Sequence, residues 1–496
     1  MFCIWVLAAL AQTPEPPQPL RTLQPTQMHQ DLELLQEGLE TWHTGMYWTT
    51  TRQEFADAMH AAETAAEEEL STAAFFLHVA RLVALTREGH ARAAIPDALI
   101  EHLSLAGMMP VSVRWVGTEL VVYRDLRAPD GTELRGRRVL SINGHTPDEL
   151  FDALSPLVTR DGFAEYAMRA YLDGLYFSVL HALVYGVQDE YRLVLGTDDG
   201  PLEVVGGAVT VEEMRQHVVA RYRDDDATTA EPVDSLHFQH VAPGIAFLAV
   251  DSFATDDFRA NTTHRRYRRF LRRSFASMQA EGVHTLILDL SENGGGKEGN
   301  ENLLFSYLAP NYQKYRAVRV NQGAAVVGAS VGAPQRYRIP WLERRWVYRT
   351  LPDGTLERRD KAPVGLSAFR GRQPRHAFGG ELYVAVGTAT YSGGSELANM
   401  LYTRERGHVV GEPTSGGFHG NTSGVSFELK LPHSGIVVDV PVIQFEMNVD
   451  GLPLGSALIP HEVVVPTIEQ SLAGERAASI HILESLGVDA ELPATR

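Results

Sequence analysis

Twice in the second half of this chain a short, strongly apolar run ends in a glycine-bearing turn and a helical pattern follows. The first is HTLILDL, closing on Ser291-Glu292-Asn293-Gly294-Gly295-Gly296; the second is LYVAV at 382–386, closing on Gly387-Thr388-Ala389-Thr390 and then Ser392. Runs of this length predict buried strands, and the glycines predict tight turns into helices. Two strand–loop–helix units with one layout constrain the C-terminal half to a βα core.

Ser392 falls where the second strand hands over to its helix, whose apolar face is carried by Leu397, Met400 and Leu401 beside Glu396. A serine there sits on a rigid scaffold, and the first N–H groups of the helix are unpaired and point towards it. Gly393 directly after it lets a carbonyl approach that N–H with no Cβ in the way, which is the arrangement an oxyanion requires. The plain alternative is a helix N-cap, the commoner task of a serine before a helix.

The 496 residues are enough for about two to four domains, and 44% hydrophobic with 21% charged is an ordinary globular balance. A net charge of −18 argues against nucleic acid or an anionic membrane as the main partner. The basic cluster from His264 to Arg273 alternates with Phe270, Leu271 and Phe275 on helical spacing, and predicts the solvated face of an amphipathic helix.

The N-terminus, MFCIWVLAALAQTPEPPQP, has an apolar run closing on Ala9-Leu10-Ala11. It predicts a secretory signal over 1–11, though without a basic residue before the run, and hence export to a periplasmic or extracellular space. The run is too short to span a bilayer. Cys3 is the single cysteine and lies inside it, so disulfides, thiol catalysis and a cysteine-held zinc drop out of the expected mature chain.

In chain order, a linker is expected over 12–30 and a helical N-terminal domain over 31–107, closing near Arg87-Glu88-Gly89-His90. Short strands with an Asn-Gly turn at 143–144 are expected over 108–208, and a polar connector over 209–234. The βα core takes 235–470 with an irregular insertion at 311–378, and a final helix takes 471–496.

DLSENGGG at 289–296, TYSGGSELA at 390–398 and GEPTSGG at 411–417, in this order after apolar strands, resemble the core of the S41 peptidases, the tail-specific or C-terminal-processing proteases. WHTGMYWTT at 42–50, REGHARAAIP at 87–96 and LRGRRVLSINGH at 134–145 resemble the helical lead-in, histidine loop and PDZ-like segment of the exported branch of that family. The resemblance implies an α+β chain: helical cap, PDZ-like module and a ClpP/crotonase-like protease core. It implies an exported serine-type endopeptidase acting on a peptide or protein substrate, with no nucleic-acid partner, no stable membrane insertion and no cofactor.

It also implies Ser392 as nucleophile, with Ser395 as its rival, and the N–H groups of Gly393 and of Gly295 or Gly296 as oxyanion donors. Where the Ser-Lys branch carries its lysine, this chain has Gly417, and the next lysine is Lys430. The base then falls to a histidine, as in the tricorn-like branch, and His90 matches its position; His419 is the rival. Imidazole is the usual base for a serine hydroxyl because it titrates near working pH. Glu446 is the chosen acid for orienting the histidine, with Glu412 read as structural. For His90 the plain reading is a helix C-terminal histidine.

GGGK at 294–297 fails as a phosphate loop, since Ser291 and Glu298 stand where glycine and a hydroxyl residue are needed. No His-Glu-x-x-His occurs among the 19 histidines, so no metal is expected. The reading from a different class is a catalytically inactive protein on the same scaffold that binds a peptide or small ligand.

Overall fold

The computed structural model describes residues 21–129, 131–222, 235–254, 263–310, 312–323, 339, 341–359 and 373–495. The expected signal segment at 1–11 lies outside them. Among the described residues no helix is long and apolar enough to cross a membrane.

The two strand–loop–helix units lie side by side. Thr285–Asp289 pairs in parallel with Glu381–Val386, Ile287 opposite Tyr383. Around this pair a six-stranded sheet runs in the order Glu462–Val463, His408–Gly411, Glu381–Val386, Thr285–Asp289, Ile245–Val250, Leu236–Ala242. Thr285–Asp289 is buried at every position and its inner neighbours along most of theirs, which is why these strands read as apolar runs. On one face lies the helix Thr263–Ala280, which buries Tyr267, Leu271 and Phe275 and leaves Arg265, Arg268, Arg269, Arg272 and Arg273 exposed, as its spacing predicts.

A second sheet is built on two long strands, Gly420–Lys430 and Val437–Met447. The helix Pro25–Trp42 packs on them: the Trp42 ring meets Phe427 edge-on at 4.9 Å, and a Cβ on Gly38 would fall 2.5 Å from Leu429 Cδ2. Immediately after His90, the short strand Arg92–Ala94 pairs antiparallel with Val437–Asp439. That pairing carries His90 to the second sheet across more than three hundred residues of chain.

Three expected boundaries shift. The linker ends early, because Thr22–Leu23 pairs with Leu70–Ser71 and a capping box between Gln24 and Gln27, with Pro25 at the first position, starts the first helix. The connector contains a helix, Val211–Arg221, fixed by the Thr210/Glu213 capping box. The insertion at 311–378 is in part regular: Tyr315–Val320 pairs with Val437–Met447 as an interior strand of the second sheet. Its arginines hid it, since Arg319 is held in an ion pair rather than exposed on a loop. The chain closes in two helices, Ile468–Ala473 and Ala477–Ser485.

Candidate active site

Ser392 stands at the N-cap of the helix Gly393–Thr403, but its side chain makes no capping hydrogen bond. Its backbone adopts φ 49°, ψ −125°, a conformation costly for a residue with a Cβ. The turn is held from all sides: Tyr391 N–H donates to Asn293 O at 2.9 Å, Gly394 N–H to Tyr391 O at 2.9 Å, and Ser415 N–H to Thr390 O at 3.0 Å. Neighbouring backbone thus pays for the strain and leaves the Ser392 hydroxyl uncommitted. Ser395 is different: it is buried and donates to Thr390 O at 2.9 Å.

The glycine loop packs directly against this turn. A Cβ on Gly295, where φ is +92°, would lie 2.7 Å from Ser392 Cβ, 2.9 Å from Gly393 N and 3.1 Å from Ser392 Oγ. The close approach demands glycine there. The Gly295 N–H, however, donates to Asn293 Oδ1 at 2.9 Å. Gly296 forms a parallel bridge with Phe253, flanked by Phe253 N–H to Gly295 O at 2.8 Å and Lys297 N–H to Phe253 O at 3.3 Å. In such a bridge the Gly296 N–H faces away from Phe253 and stays free of that pairing. Asn293, fully buried, ties the glycine loop to the strand Ile245–Val250, with Nδ2 donating to Val250 O at 2.8 Å.

His90 reaches the Ser392 turn through Tyr391. Its Nδ1 lies 2.9 Å from the Tyr391 hydroxyl and 2.9 Å from Glu88 Oε1, and the two rings lie 4.9 Å apart. An ionised Glu88 carboxylate can only accept, so it assigns the proton to Nδ1, which leaves Nε2 as the basic atom. Burial lowers the His90 pKa, although Asp161 and Glu396 pull against it. Glu88 is pushed up to about 7 by burial, against the Thr422 N–H that donates to it.

Sequence reasoning placed Glu446 beside the histidine, yet the carboxylate on His90 is that of Glu88. Glu446 instead accepts from Arg319 Nη1 at 2.7 Å, with Arg316 at 3.9 Å. A Glu-x-His spacing in a loop was the available signal for Glu88. His419 lines the cleft that Glu88 and Asp161 also line, with its pKa lowered by burial and by Arg316. Glu412, raised to about 7 by burial and by Glu292, faces that residue.

Behind the helix Gly393–Thr403 lies a buried ion cluster that no local sequence pattern announces. Lys314 is fully buried with Nζ 2.7 Å from Glu301 Oε1 and in contact with Glu396, which also accepts from the Tyr315 hydroxyl at 3.0 Å. Burial alone would lower Lys314; the carboxylates of Glu301 and Glu396 outweigh it and hold it well above its ordinary value. The cluster joins the helix Asn300–Leu308, after the glycine loop, to the helix after Ser392.

Among the described residues Glu88, His90 and Asp161 form the group whose ligand atoms come within 4.8 Å of one another. Their oxygens already accept N–H donors: Gly89 at 2.7 Å and Gly417 at 2.9 Å on Asp161, and His90 and Thr422 on Glu88. The group is a hydrogen-bonded assembly rather than a bare ligand set.

This fold has solved counterparts. Mature CPAF complexed with lactacystin aligns with a TM-score of 0.61 at 13% identity, covering 93% of this chain and 97% of that one. A serine-to-alanine mutant of CPAF aligns with a TM-score of 0.59 at 13% identity, covering 95% and 99%. At that identity the likeness establishes the architecture. No curated protein matches the chain. Residues 244–445, which hold both glycine loops and Ser392, match peptidase family S41. The chain carries an S41-family peptidase core.

Proposed function

We propose that the protein is an exported serine-type endopeptidase in which Ser392 is the nucleophile and His90 the base. The observation that carries this reading is the Ser392 hydroxyl itself, uncapped at a helix N-terminus, with His90 bonded to the preceding residue, Tyr391. Ser392 Oγ attacks the peptide carbonyl carbon while its proton passes to His90 Nε2. The C–N bond then breaks as that proton moves to the leaving amine. Water attacks the acyl ester by the same route and frees Ser392. Glu88 orients the imidazole and stabilises it when it is doubly protonated.

In this reading Gly393 N–H is one oxyanion donor and Gly296 N–H the other, while Gly295 supplies space. Losing one such donor typically costs on the order of 10²–10³ in rate. The segment 108–208, read as PDZ-like, would receive an extended C-terminal peptide by strand addition.

The test is labelling with a fluorophosphonate, and with lactacystin, of wild type, Ser392→Ala, Ser395→Ala and His90→Ala. Labelling is expected in wild type and Ser395→Ala and lost in the other two. A folded wild type that never labels and cleaves no peptide library would favour the inactive, ligand-binding reading. Labelling that survives Ser392→Ala would overturn the choice of nucleophile.

A further inference from the structure

Asp161 lies far from both glycine loops in sequence, in the loop that follows the short helical turn Ser155–Leu157, yet it is buried at the histidine. One of its oxygens accepts from Gly89 N–H at 2.7 Å, next to His90, and from the Tyr391 hydroxyl at 3.4 Å, next to Ser392. The other accepts from Gly417 N–H at 2.9 Å, at the end of the GEPTSGG loop. A single carboxyl group therefore touches three separate stretches that border the candidate site.

The loop around it is stitched in place. Gly162 N–H donates to Arg87 O at 2.9 Å and Phe163 N–H to Gly455 O at 2.8 Å. Gly162 has φ +58°, and a Cβ there would strike Gly455 O at 2.1 Å, so only glycine lets the loop enter. Residues 161–163 are wedged between the histidine loop and the strand-bearing half of the core. A buried carboxyl is costly unless it is fully hydrogen-bonded, and a purely structural turn has no need of one. Burial and the neighbouring Glu88 raise Asp161 well above the ordinary carboxylate range.

Resting on the peptidase reading above, we propose that Asp161 is a positioning residue: by holding the Tyr391 hydroxyl and the Gly89 and Gly417 N–H groups, it fixes the His90 imidazole in register with Ser392. The middle segment of the chain, 108–208, thereby contributes a member of the catalytic apparatus, and the site is complete only when the loop at 161–163 is docked. Tyr391 is the intermediary. It receives the Nδ1 proton of His90 in a hydrogen bond and passes its own to Asp161, so that the imidazole is held on one edge by Glu88 and by this relay.

The experiment compares Asp161→Ala, Asp161→Asn, Tyr391→Phe and the double variant Asp161→Ala/Tyr391→Phe in the full-length chain. A displaced base costs on the order of 10²-fold in rate. Asp161→Ala is therefore expected to lower kcat by about 10²-fold with KM changed by less than about threefold. Asp161→Asn, which keeps an acceptor oxygen for Tyr391, is expected to recover at least about tenfold of that loss. The double variant is expected to be no slower than the slower single one, since both remove one relay.

Long-range ¹H–¹⁵N spectra of the imidazoles give a readout that needs no turnover. His90 is expected to hold one tautomer with the proton on Nδ1 in wild type, and to exchange between tautomers in Asp161→Ala. Additive losses in the double variant, a loss confined to KM, or an unchanged His90 tautomer in Asp161→Ala would overturn the proposal while leaving the peptidase reading intact. A wild type with the fixed tautomer but no labelling would instead sink that reading and leave the positioning of His90 supported.

Discussion

The imidazole Nδ1 of His90 lies 2.9 Å from the hydroxyl of Tyr391, a residue 301 positions later and directly before Ser392. The contact follows from one short strand, Arg92–Ala94, adding to the edge of Val437–Met447. It ties the histidine to the side chain of the residue before the serine. With Glu88 at 2.9 Å on the same nitrogen, the base of the proposed mechanism is oriented before a substrate arrives.

Activity should carry an acid limb set by Glu88. The group is protonated below about 7, and the protonated acid cannot stabilise the charged imidazole. We expect kcat/KM to rise with pH through an apparent value near 7, set by Glu88. In Glu88→Gln the rate should fall, and the limb should move below the ordinary histidine value because burial lowers His90. A limb that stays near 7 in that variant would exclude Glu88 as its source.

Stability should show the opposite slope. A buried acid raised from 4.5 to about 7 keeps its proton in the folded state while the unfolded chain has already lost it. Its contribution is thus complete below 4.5 and is lost as pH rises towards 7. Urea unfolding of wild type against Glu88→Gln across that window should show the difference shrinking in wild type's disfavour as pH rises.

Replacing Ser392 by glycine should make the protein more stable. The residue holds φ 49°, ψ −125°, and such conformations cost of order 1–3 kcal/mol. Allowing for the entropy glycine adds to the unfolded chain, we expect a net gain of about 1 kcal/mol in Ser392→Gly. Ser392→Ala, which keeps a Cβ, should show none of it. Equal urea midpoints for the two variants would contradict strain at Ser392.

Two adjacent glycines should differ sharply. Gly295→Ala places a Cβ 2.7 Å from Ser392 Cβ and 2.9 Å from Gly393 N at φ +92°, whereas a Cβ on Gly393 meets nothing closer than Phe253 at 3.3 Å. Fluorophosphonate labelling should fall by at least about 10²-fold in Gly295→Ala. In Gly393→Ala it should fall much less. The reverse order would mean that the glycine loop does not shape the site.

Lys314→Met should destabilise the fold by about 3–5 kcal/mol, because it leaves two buried carboxylates without their cation. Adding Glu301→Gln and Glu396→Gln to that variant should recover much of the loss, as measured by urea unfolding. Additive destabilisation would show that Lys314 acts through packing alone.

The parts of this protein written locally were readable before any coordinates. The apolar runs 284–290 and 382–386, their glycine loops and the helix after Ser392 announce themselves because a strand buried on both faces must be continuously apolar. The departure at Gly417, where the Ser-Lys branch has lysine, is likewise visible in one stretch of chain. What only the tertiary structure decided are the pairs formed at long range. Glu88 rather than Glu446 meets His90 because strand register aims Glu446 at Arg319, and register is set by a pairing partner more than a hundred residues away. Asp161 enters from the middle segment, and Lys314 is interior because Tyr315–Val320 is a central strand. A charged residue looks alike in sequence whether water or two carboxylates surround it; burial, which decides its chemistry, belongs to the fold.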